Sequence, residues 1–262
     1  MPAEEIIKSL LAGVVAGFAS GFLGVSPGGI LVPVISMLLP FAQHVVQGIS
    51  LIVQAPPASI SSLSAYSQKG RRMALAPIIL VSAGFLAGGP IGAFLAQICS
   101  ERELRWMFVG YLLILATLSA LKGAHATDSG FNSTSPEAPY PILTSAGIGV
   151  IAGISSGLLG IGGGLAITAL CVVLLRRNQH EAQALSLAVT ALPLTLPAAW
   201  VYAHRESYLP WQAIGCMVAG LAVGGWAGAI LANRLTGRNL KLAFTSLLLA
   251  MALYMAVAAI RA

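Results

Sequence analysis

Two glycine-rich stretches interrupt long apolar runs of this sequence at positions where a continuous helix would be expected. They are Ser20-Gly-Phe-Leu-Gly-Val-Ser-Pro-Gly-Gly29 and Ser156-Gly-Leu-Leu-Gly-Ile-Gly-Gly-Gly-Leu165. So many glycines, with a proline in the first stretch, favour an irregular backbone. At membrane depth such a backbone is tolerated only where it is buried in protein or lines a watery cavity. The two breaks therefore predict a substrate site made of main-chain groups.

A short helix is predicted to start directly after each break, near Gly28 and near Gly164. A helix that starts at membrane depth presents free N–H groups and the positive end of its dipole, about half an elementary charge. Two such ends facing one cavity would attract an anion, as in transporters whose discontinuous helices meet between repeats. The candidate binding residues at the breaks are Ser26, Gly28, Gly29, Gly162, Gly163 and Gly164.

The alternative is that glycines only allow helices to pack closely, as small-xxx-small patterns do. For four glycines of later spans, close packing is the preferred interpretation. These are Gly88, Gly92, Gly224 and Gly228. For the two breaks, three consecutive glycines and a Ser-Pro-Gly-Gly run favour the substrate site instead.

A stripe of neutral polar residues follows each short helix. Gln47, Ser50 and Gln54 are spaced i, i+3 and i+7, which places them on one helical face. The second half of the chain keeps this spacing at Gln183, Ser186 and Thr190. These side chains can hydrogen-bond an oxyanion without the cost of burying a charge. The alternative is that they form hydrogen bonds between helices.

Few other residues offer chemistry. His44 and His180 stand at equivalent places and could form a proton-linked gate, or could cap helices. Glu181 stands at the start of a predicted span, and no Asp or Glu lies well inside one, which disfavours a cation pump with a carboxylate relay. The cysteines form no C-x-x-C pair, so no metal site, disulfide or cofactor is predicted: Cys99, Cys171 and Cys216.

The composition is that of an integral membrane protein. Of 262 residues, 57% are hydrophobic and 8% are charged, and the mean hydropathy is +0.88. Soluble domains carry about a quarter charged residues. The 14 Lys and Arg are scattered in short loops, so they are expected to set membrane orientation and not to bind nucleic acid.

The apolar segments predict an all-α membrane protein. In the first half we expect helices at residues 6–23 and 28–39 and spans at 44–64, 77–99 and 106–121. In the second half we expect an uncharged run to residue 175 that contains the second break, then spans at 182–202, 211–233 and 240–260. Aromatic residues at span ends are expected to be interfacial anchors: Trp106, Trp200, Tyr202, Tyr208 and Trp211.

Laying each residue over the residue 136 positions later reveals an internal repeat. Repeat 1 spans residues 1–121, repeat 2 spans residues 141–262, and residues 122–140 form a linker rich in Ser, Thr, Pro and Gly. Each repeat is expected to hold a glycine-broken first unit and three transmembrane helices. An inverted arrangement puts nine Lys and Arg on one side and five on the other, against seven and seven for parallel halves, so inversion is favoured.

The breaks, each followed about 15 residues later by Gln-His and then Ser-Leu, resemble the TauE/SafE family of sulfite and organosulfonate exporters. The residues that carry this resemblance are Gln43-His44, Ser50-Leu51, Gln179-His180 and Ser186-Leu187. The resemblance covers nearly the whole chain. It implies export of small sulfur-containing anions such as sulfite, sulfoacetate or related sulfonates, by a multi-pass bundle of two repeats in a bacterial plasma (inner) membrane.

We therefore expect a secondary transporter in the lipid bilayer that binds a small oxyanion between the two half-helix ends and alternates access by rocking one repeat against the other. Such a transporter would need no cofactor and would bind no nucleic acid. The sequence leaves open whether it forms a homo-oligomer. Two other classes stay open. One is an intramembrane enzyme that uses His44 and His180, and the other is a membrane assembly partner that transports nothing.

Overall fold

The computed structural model describes residues 3–23, 26–55, 75–121, 141–175, 179–205, 209–232 and 237–261, and these residues form eleven helices and no strand. The helices are α1 (Ala3–Leu23), α2 (Gly28–Leu38), α3 (Gln43–Val53), α4 (Leu75–Ile98), α5 (Glu101–Leu121), α6 (Ile142–Leu159), α7 (Gly164–Leu174), α8 (Gln179–Thr190), α9 (Leu196–Arg205), α10 (Trp211–Ala232) and α11 (Gly237–Arg261). The predicted all-α class is confirmed. The predicted linker, residues 122–140, lies outside the described residues.

Three of these helices are long and apolar enough to cross a membrane: Ala3–Phe22, Leu75–Ile98 and Ile142–Leu159. Their lengths are 20, 24 and 18 residues. A membrane-spanning helix needs about 20 apolar residues, and the lower limit is about 17. Many of their large apolar side chains face outward, as a lipid environment requires. The described part of the chain is therefore that of a membrane protein.

The short helix α2 begins and ends where local sterics dictate. Its N-cap is Pro27, whose ring holds φ at −66°, a value that already suits a helix. Its C-cap Leu39 is extended at φ −127° and ψ 138°, because the ring of Pro40 disfavours helical geometry in the residue before it. The predicted short helix is confirmed. Its residues from Gly28 to Ile35 are buried, so this half-helix lies inside the protein.

The second break consists of three glycines with positive φ: Gly160 at 72°, Gly162 at 79° and Gly163 at 73°. Left-handed geometry is inexpensive for glycine and costly for other residues, so these positions end one helix and allow another to start in a new direction. Helix α6 ends at Leu159 and α7 begins at Gly164. The predicted second break is confirmed.

The prediction of a continuous span at residues 182–202 is wrong. Helix α8 ends at Thr190, residues 191–195 form turns, and α9 begins at Leu196. Pro193 lies in this interruption, has no N–H to donate, and would place its ring against the carbonyl four residues earlier. In the first half, α3 likewise ends at Val53, early in the predicted span at residues 44–64, and residues 56–64 lie outside the described part.

Two helix pairs make the closest packing, α1 with α10 and α4 with α6, and glycines form both contacts. On α1, Gly13, Gly17 and Gly21 lie against the backbone of Met217, Leu221 and Gly225 on α10. On α4, Gly84, Gly88 and Gly92 lie against the backbone of Ala146, Val150 and Ile154 on α6. Residue numbers rise together along both members of each pair, so the paired helices run parallel. Glycine lets backbones approach closely, which confirms the packing interpretation of Gly88, Gly92, Gly224 and Gly228.

Helices α5 and α11 pack against each other in the opposite sense. The guanidinium of Arg105, near the start of α5, donates from Nη1 to the carbonyl of Ala258, near the end of α11, at 2.9 Å. The other terminal nitrogen lies 3.4 Å from Oε2 of Glu101. A cation at a helix C-terminus interacts favourably with its dipole. The start of α5 therefore lies beside the end of α11.

Candidate functional site

The two glycine breaks meet inside the protein. Gly28 packs against the carbonyl of Ile161, leaving no room for a side chain at that position. Ser26 Oγ donates to the carbonyl oxygen of Ile161 at 3.3 Å. A methyl group added at Gly164 would lie 2.9 Å from Cβ of Ser26. The half-helices α2 and α7, which follow breaks far apart in the sequence, therefore start beside each other.

Neither half-helix is capped by a side chain. Pro27 stands at the N-cap of α2 and Gly163 at the N-cap of α7, and neither position makes a side-chain cap hydrogen bond. The first four N–H groups of a helix have no partner within the helix, and they carry the positive end of its dipole. The N–H groups of Ile30 and Gly164 donate to main-chain carbonyls of Pro27 and Gly162. Two N-termini without side-chain caps thus meet in one place, which favours a negatively charged ligand.

Gln54 connects both breaks to the end of α3. Its Nε2 donates to the carbonyl and the hydroxyl of Ser50, each at 2.9 Å, and approaches the carbonyl of Gly160 at 3.2 Å. Its Oε1 lies 3.2 Å from Ser26 Oγ, whose single hydrogen can be donated either to this oxygen or to the carbonyl of Ile161. Ser50 Oγ itself donates to the carbonyl of Gly160 at 2.8 Å. The first polar stripe therefore holds the second break in position.

The second polar stripe reaches the same break from the other side. Ser186 Oγ donates to the carbonyl of Gly164 at 2.7 Å, and the hydroxyl of Thr190 donates to the carbonyl of Ser186 at 2.8 Å. Ser186 is buried, and Thr190 stands at the end of α8. The side chains of Gln183 and His180 lie outside the described part of the structure.

A small cavity lies beside the two half-helix starts. Its walls are formed by Ser26, Pro27, Gln54, Phe85, Gly162, Val189, Thr190, Leu192, Leu194 and Thr195. The cavity volume of about 20 Å³ is enough for about one water molecule and too small for a sulfur oxyanion. At this volume the cavity is closed to such an anion. Ser26, Gln54, Gly162 and Thr190 are predicted site residues that border this cavity.

Thr195 borders the cavity and was not among the candidate residues named from the sequence. Only 7% of it is exposed, and its Oγ1 has no hydrogen-bond partner among the described residues. A buried hydroxyl without a partner costs about 1–3 kcal/mol. Thr195 stands in the interruption between α8 and α9. Pro193 was the sequence feature that could have indicated this interruption. The hydroxyl borders the cavity and is free to bind a ligand.

Phe85 closes another side of the cavity. It is 2% exposed on α4, and a methyl group at Gly163 would overlap its ring. Val189, Leu192 and Leu194 add further apolar wall. No sequence signal marked Phe85, because a phenylalanine in an apolar helix is ordinarily a packing residue. The cavity is therefore bordered by both polar and apolar residues, and one of the apolar ones, Phe85, packs on the second break itself.

Gln47 faces a different partner from Gln54. The hydroxyl of Tyr202 lies 2.9 Å from Oε1 of Gln47 and 2.8 Å from the carbonyl oxygen of Gly157. Tyr202 is fully buried, so its predicted role as an interfacial anchor is wrong. Trp106 and Trp211, by contrast, are exposed as anchors would be, at 44% and 64%. Tyr208 lies outside the described residues.

His44 lies away from the cavity, in the first turn of α3, whereas Gln54 borders the cavity from the other end of that helix. It is half-buried, and its Nδ1 has no hydrogen-bond partner among the described residues. Gly28 and Gly29 are buried at the start of α2 and pack on Ile161 and Leu165. The structure thus brings the breaks, Gln54, Thr190 and Thr195 together and leaves His44 outside that group. Gln47 packs on Gly160 of the second break but does not border the cavity.

Comparisons with known proteins agree with a transporter. A family model described as "Sulfite exporter TauE/SafE" matches residues 9–255. Two relatives from Xylella fastidiosa, strains Temecula1 and 9a5c, are each named "Probable membrane transporter protein". Each is 24% identical over 266 residues, which cover 97% of this chain and 96% of the relative. No solved structure gives a significant match.

Proposed function

The chain belongs to the TauE/SafE sulfite exporter family, and on that premise we propose that it exports small sulfur-containing oxyanions, such as sulfite or sulfonates, across a bacterial inner membrane. The family and both relatives are described as transporters and not as enzymes, so the enzyme alternative is not supported. The prediction of a membrane transporter is confirmed. The substrate, the direction and the site residues belong to the proposal.

The observation that carries the proposal is the meeting of two uncapped half-helix N-termini at one cavity. We place the anion between the two breaks, where main-chain N–H groups near Gly28 and Gly163 would donate to its oxygens. The free hydroxyl of Thr195 would donate to another oxygen. Hydrogen bonds to an ionised acceptor contribute about 1.5–3 kcal/mol each, which is more than neutral ones.

We propose that residues 1–121 and 141–262 are inverted repeats that rock against each other. Two structural observations support this. The glycine contacts are reciprocal, because α1 of the first half packs on α10 of the second, and α6 of the second packs on α4 of the first. In addition, α5 and α11 occupy equivalent positions in the two repeats but run antiparallel, because Arg105 near the start of α5 contacts Ala258 near the end of α11. Equivalent helices of inverted repeats run in opposite directions. Rocking would open the closed cavity to one side at a time.

The test measures binding and flux with the intact protein. Thermal stability in detergent is recorded with sulfite, sulfoacetate, taurine, thiosulfate, sulfate and chloride, and flux of each anion is recorded in proteoliposomes. A ligand that binds the folded state stabilises it by about 2.7 kcal/mol at a hundredfold excess over its Kd. We expect stabilisation and flux with sulfite or a sulfonate and neither with chloride. A protein that binds and moves none of these anions would instead be the non-transporting assembly partner.

A further inference from the structure

We propose that the cavity at the two breaks accepts one negative charge and rejects two. The transported species would then be a monoanion, such as hydrogen sulfite or an alkyl sulfonate, and not a dianion such as sulfite or sulfate. This inference rests on the proposed function, since it concerns the same anion site. It is independent of the direction of transport.

Among the described residues, those that form the walls of the cavity have no ionisable side chain. The ten residues that border it are neutral, and their polar members are Ser26, Gln54, Gly162, Thr190 and Thr195. Positive potential therefore comes from the starts of α2 and α7. Each helix end is equivalent to about half an elementary charge, so the two ends together balance about one negative charge.

A second charge would lack compensation. The free energy needed to remove an ion from water rises with the square of its charge, whereas its attraction to a fixed dipole rises only in proportion to that charge. The hydroxyls of Ser26 and Thr190 donate to other groups of the protein, and both Nε2 hydrogens of Gln54 are used by Ser50 and Gly160. Thr195 offers the uncommitted hydroxyl among the described wall residues.

The apolar residues that border the cavity fit the same class of ligand. Phe85, Val189, Leu192 and Leu194 form a wall that cannot solvate charge. An alkyl sulfonate carries its charge on oxygens at one end, and its alkyl substituent can contact such a wall. A dianion such as sulfate has oxygens on all sides and would place one of them against the apolar residues.

Titration of the protein near the cavity would be a competing source of pH dependence. Helices α2 and α4 contain no ionisable side chain, and the one on α7 is the buried thiol of Cys171, two helical turns beyond the start of that helix. On α3, α8 and α9 the titratable residues occupy the helix ends away from the cavity: His44, His180, Glu181, His204 and Arg205, of which the side chain of His180 lies outside the described part. The substrate's own protonation is therefore the expected source of any pH effect.

The experiment compares sulfite with methanesulfonate in proteoliposomes that contain the intact protein. The pH is equal on both sides and is varied over the range in which hydrogen sulfite gives way to sulfite. Methanesulfonate stays a monoanion throughout, so it is the matched control for titration of the protein. The measured quantity is the ratio of sulfite flux to methanesulfonate flux at fixed total concentrations. We expect this ratio to fall in proportion to the hydrogen sulfite fraction, and we expect sulfate flux at background level.

A ratio that stays constant or rises with pH would overturn the monoanion inference while leaving the transport function intact. Sulfate flux equal to methanesulfonate flux would overturn it in the same way. Absence of flux for every sulfur anion would overturn the proposed function, and the charge inference with it. The two failures are therefore distinguishable.

Discussion

The hydroxyl oxygen of Tyr202 lies 2.9 Å from Oε1 of Gln47, a contact between residues that are 155 positions apart in the chain. The same hydroxyl lies 2.8 Å from the carbonyl oxygen of Gly157. A phenol has one hydrogen, so it donates to one of these acceptors at a time. In the alternative orientation of the Gln47 amide, its Nε2, which has no partner among the described residues in the present orientation, donates to Tyr202 while Tyr202 donates to Gly157. This contact joins α3, α6 and α9 close to the second break.

Tyr202→Phe should destabilise the protein by about 1–3 kcal/mol, because it leaves the buried polar groups of Gln47 and Gly157 without their partner. The midpoint of thermal unfolding in detergent measures this. Tyr111→Phe is the matched control, since the buried hydroxyl of Tyr111 has no hydrogen-bond partner among the described residues. Equal midpoints for the two variants would contradict a structural role for the Tyr202 contact.

Thr195→Val should weaken anion binding by about 1.5–3 kcal/mol, which is roughly a tenfold to hundredfold change in affinity. The shape of the side chain is kept, and the hydroxyl that is lost has no hydrogen-bond partner in the described part of the chain. Folding stability should therefore stay the same or increase while flux falls. Thr117→Val is the control, because that exposed hydroxyl bonds only to the carbonyl of Leu113 within its own helix. Wild-type flux from a well-folded Thr195→Val protein would remove Thr195 from the site.

Gly163→Ala should destabilise the break by at least about 1–2 kcal/mol, since φ is +73° and an added Cβ would also overlap the ring of Phe85. We expect a lower unfolding midpoint and reduced flux. Gly147→Ala provides the comparison, because Gly147 has no atom within 4 Å of the added Cβ. The structural account of the break would fail if Gly163→Ala unfolded at the wild-type temperature.

Gly153→Leu should prevent α6 from packing on α4. An added Cβ at Gly153 lies 2.9 Å from the amide nitrogen of Gly89, and overpacking of this kind typically costs about 1–3 kcal/mol or more. Size-exclusion chromatography should show loss of the monodisperse peak. Gly147→Leu on the same helix should keep it, since that position faces open space. Identical profiles for the two variants would show that α4 and α6 tolerate separation.

Sequence reasoning located the half-helices because their limits depend on local sterics. Pro27 and Leu39 bound α2, and three glycines with positive φ precede α7, so neighbouring residues alone determine where these helices begin and end. The interruption between α8 and α9, at residues 191–195, was not predicted. Proline was an ambiguous signal there, because Pro33 and Pro90 lie inside helices α2 and α4 that continue through them.

Polar residues that were predicted to share one helical face contact different partners in the structure. Gln47 and Gln54 share a face of α3, yet Gln47 contacts Tyr202 while Gln54 contacts Ser26 and Gly160. Helical spacing predicts the direction of a side chain and not the element that lies opposite. Thr195 was missed for the same reason, since its unpartnered hydroxyl is significant only once the surrounding walls are known.

The amino-acid sequence by itself determined that the chain is an apolar helical membrane protein of the TauE/SafE family with two breaks at defined glycines. Composition and backbone sterics are local properties, which any stretch of chain expresses without its neighbours in space. Tertiary structure alone decided that the breaks meet, that Tyr202 is buried against Gln47, and that Thr195 borders the cavity. These depend on contacts between residues far apart in the chain, which form only when the helices pack.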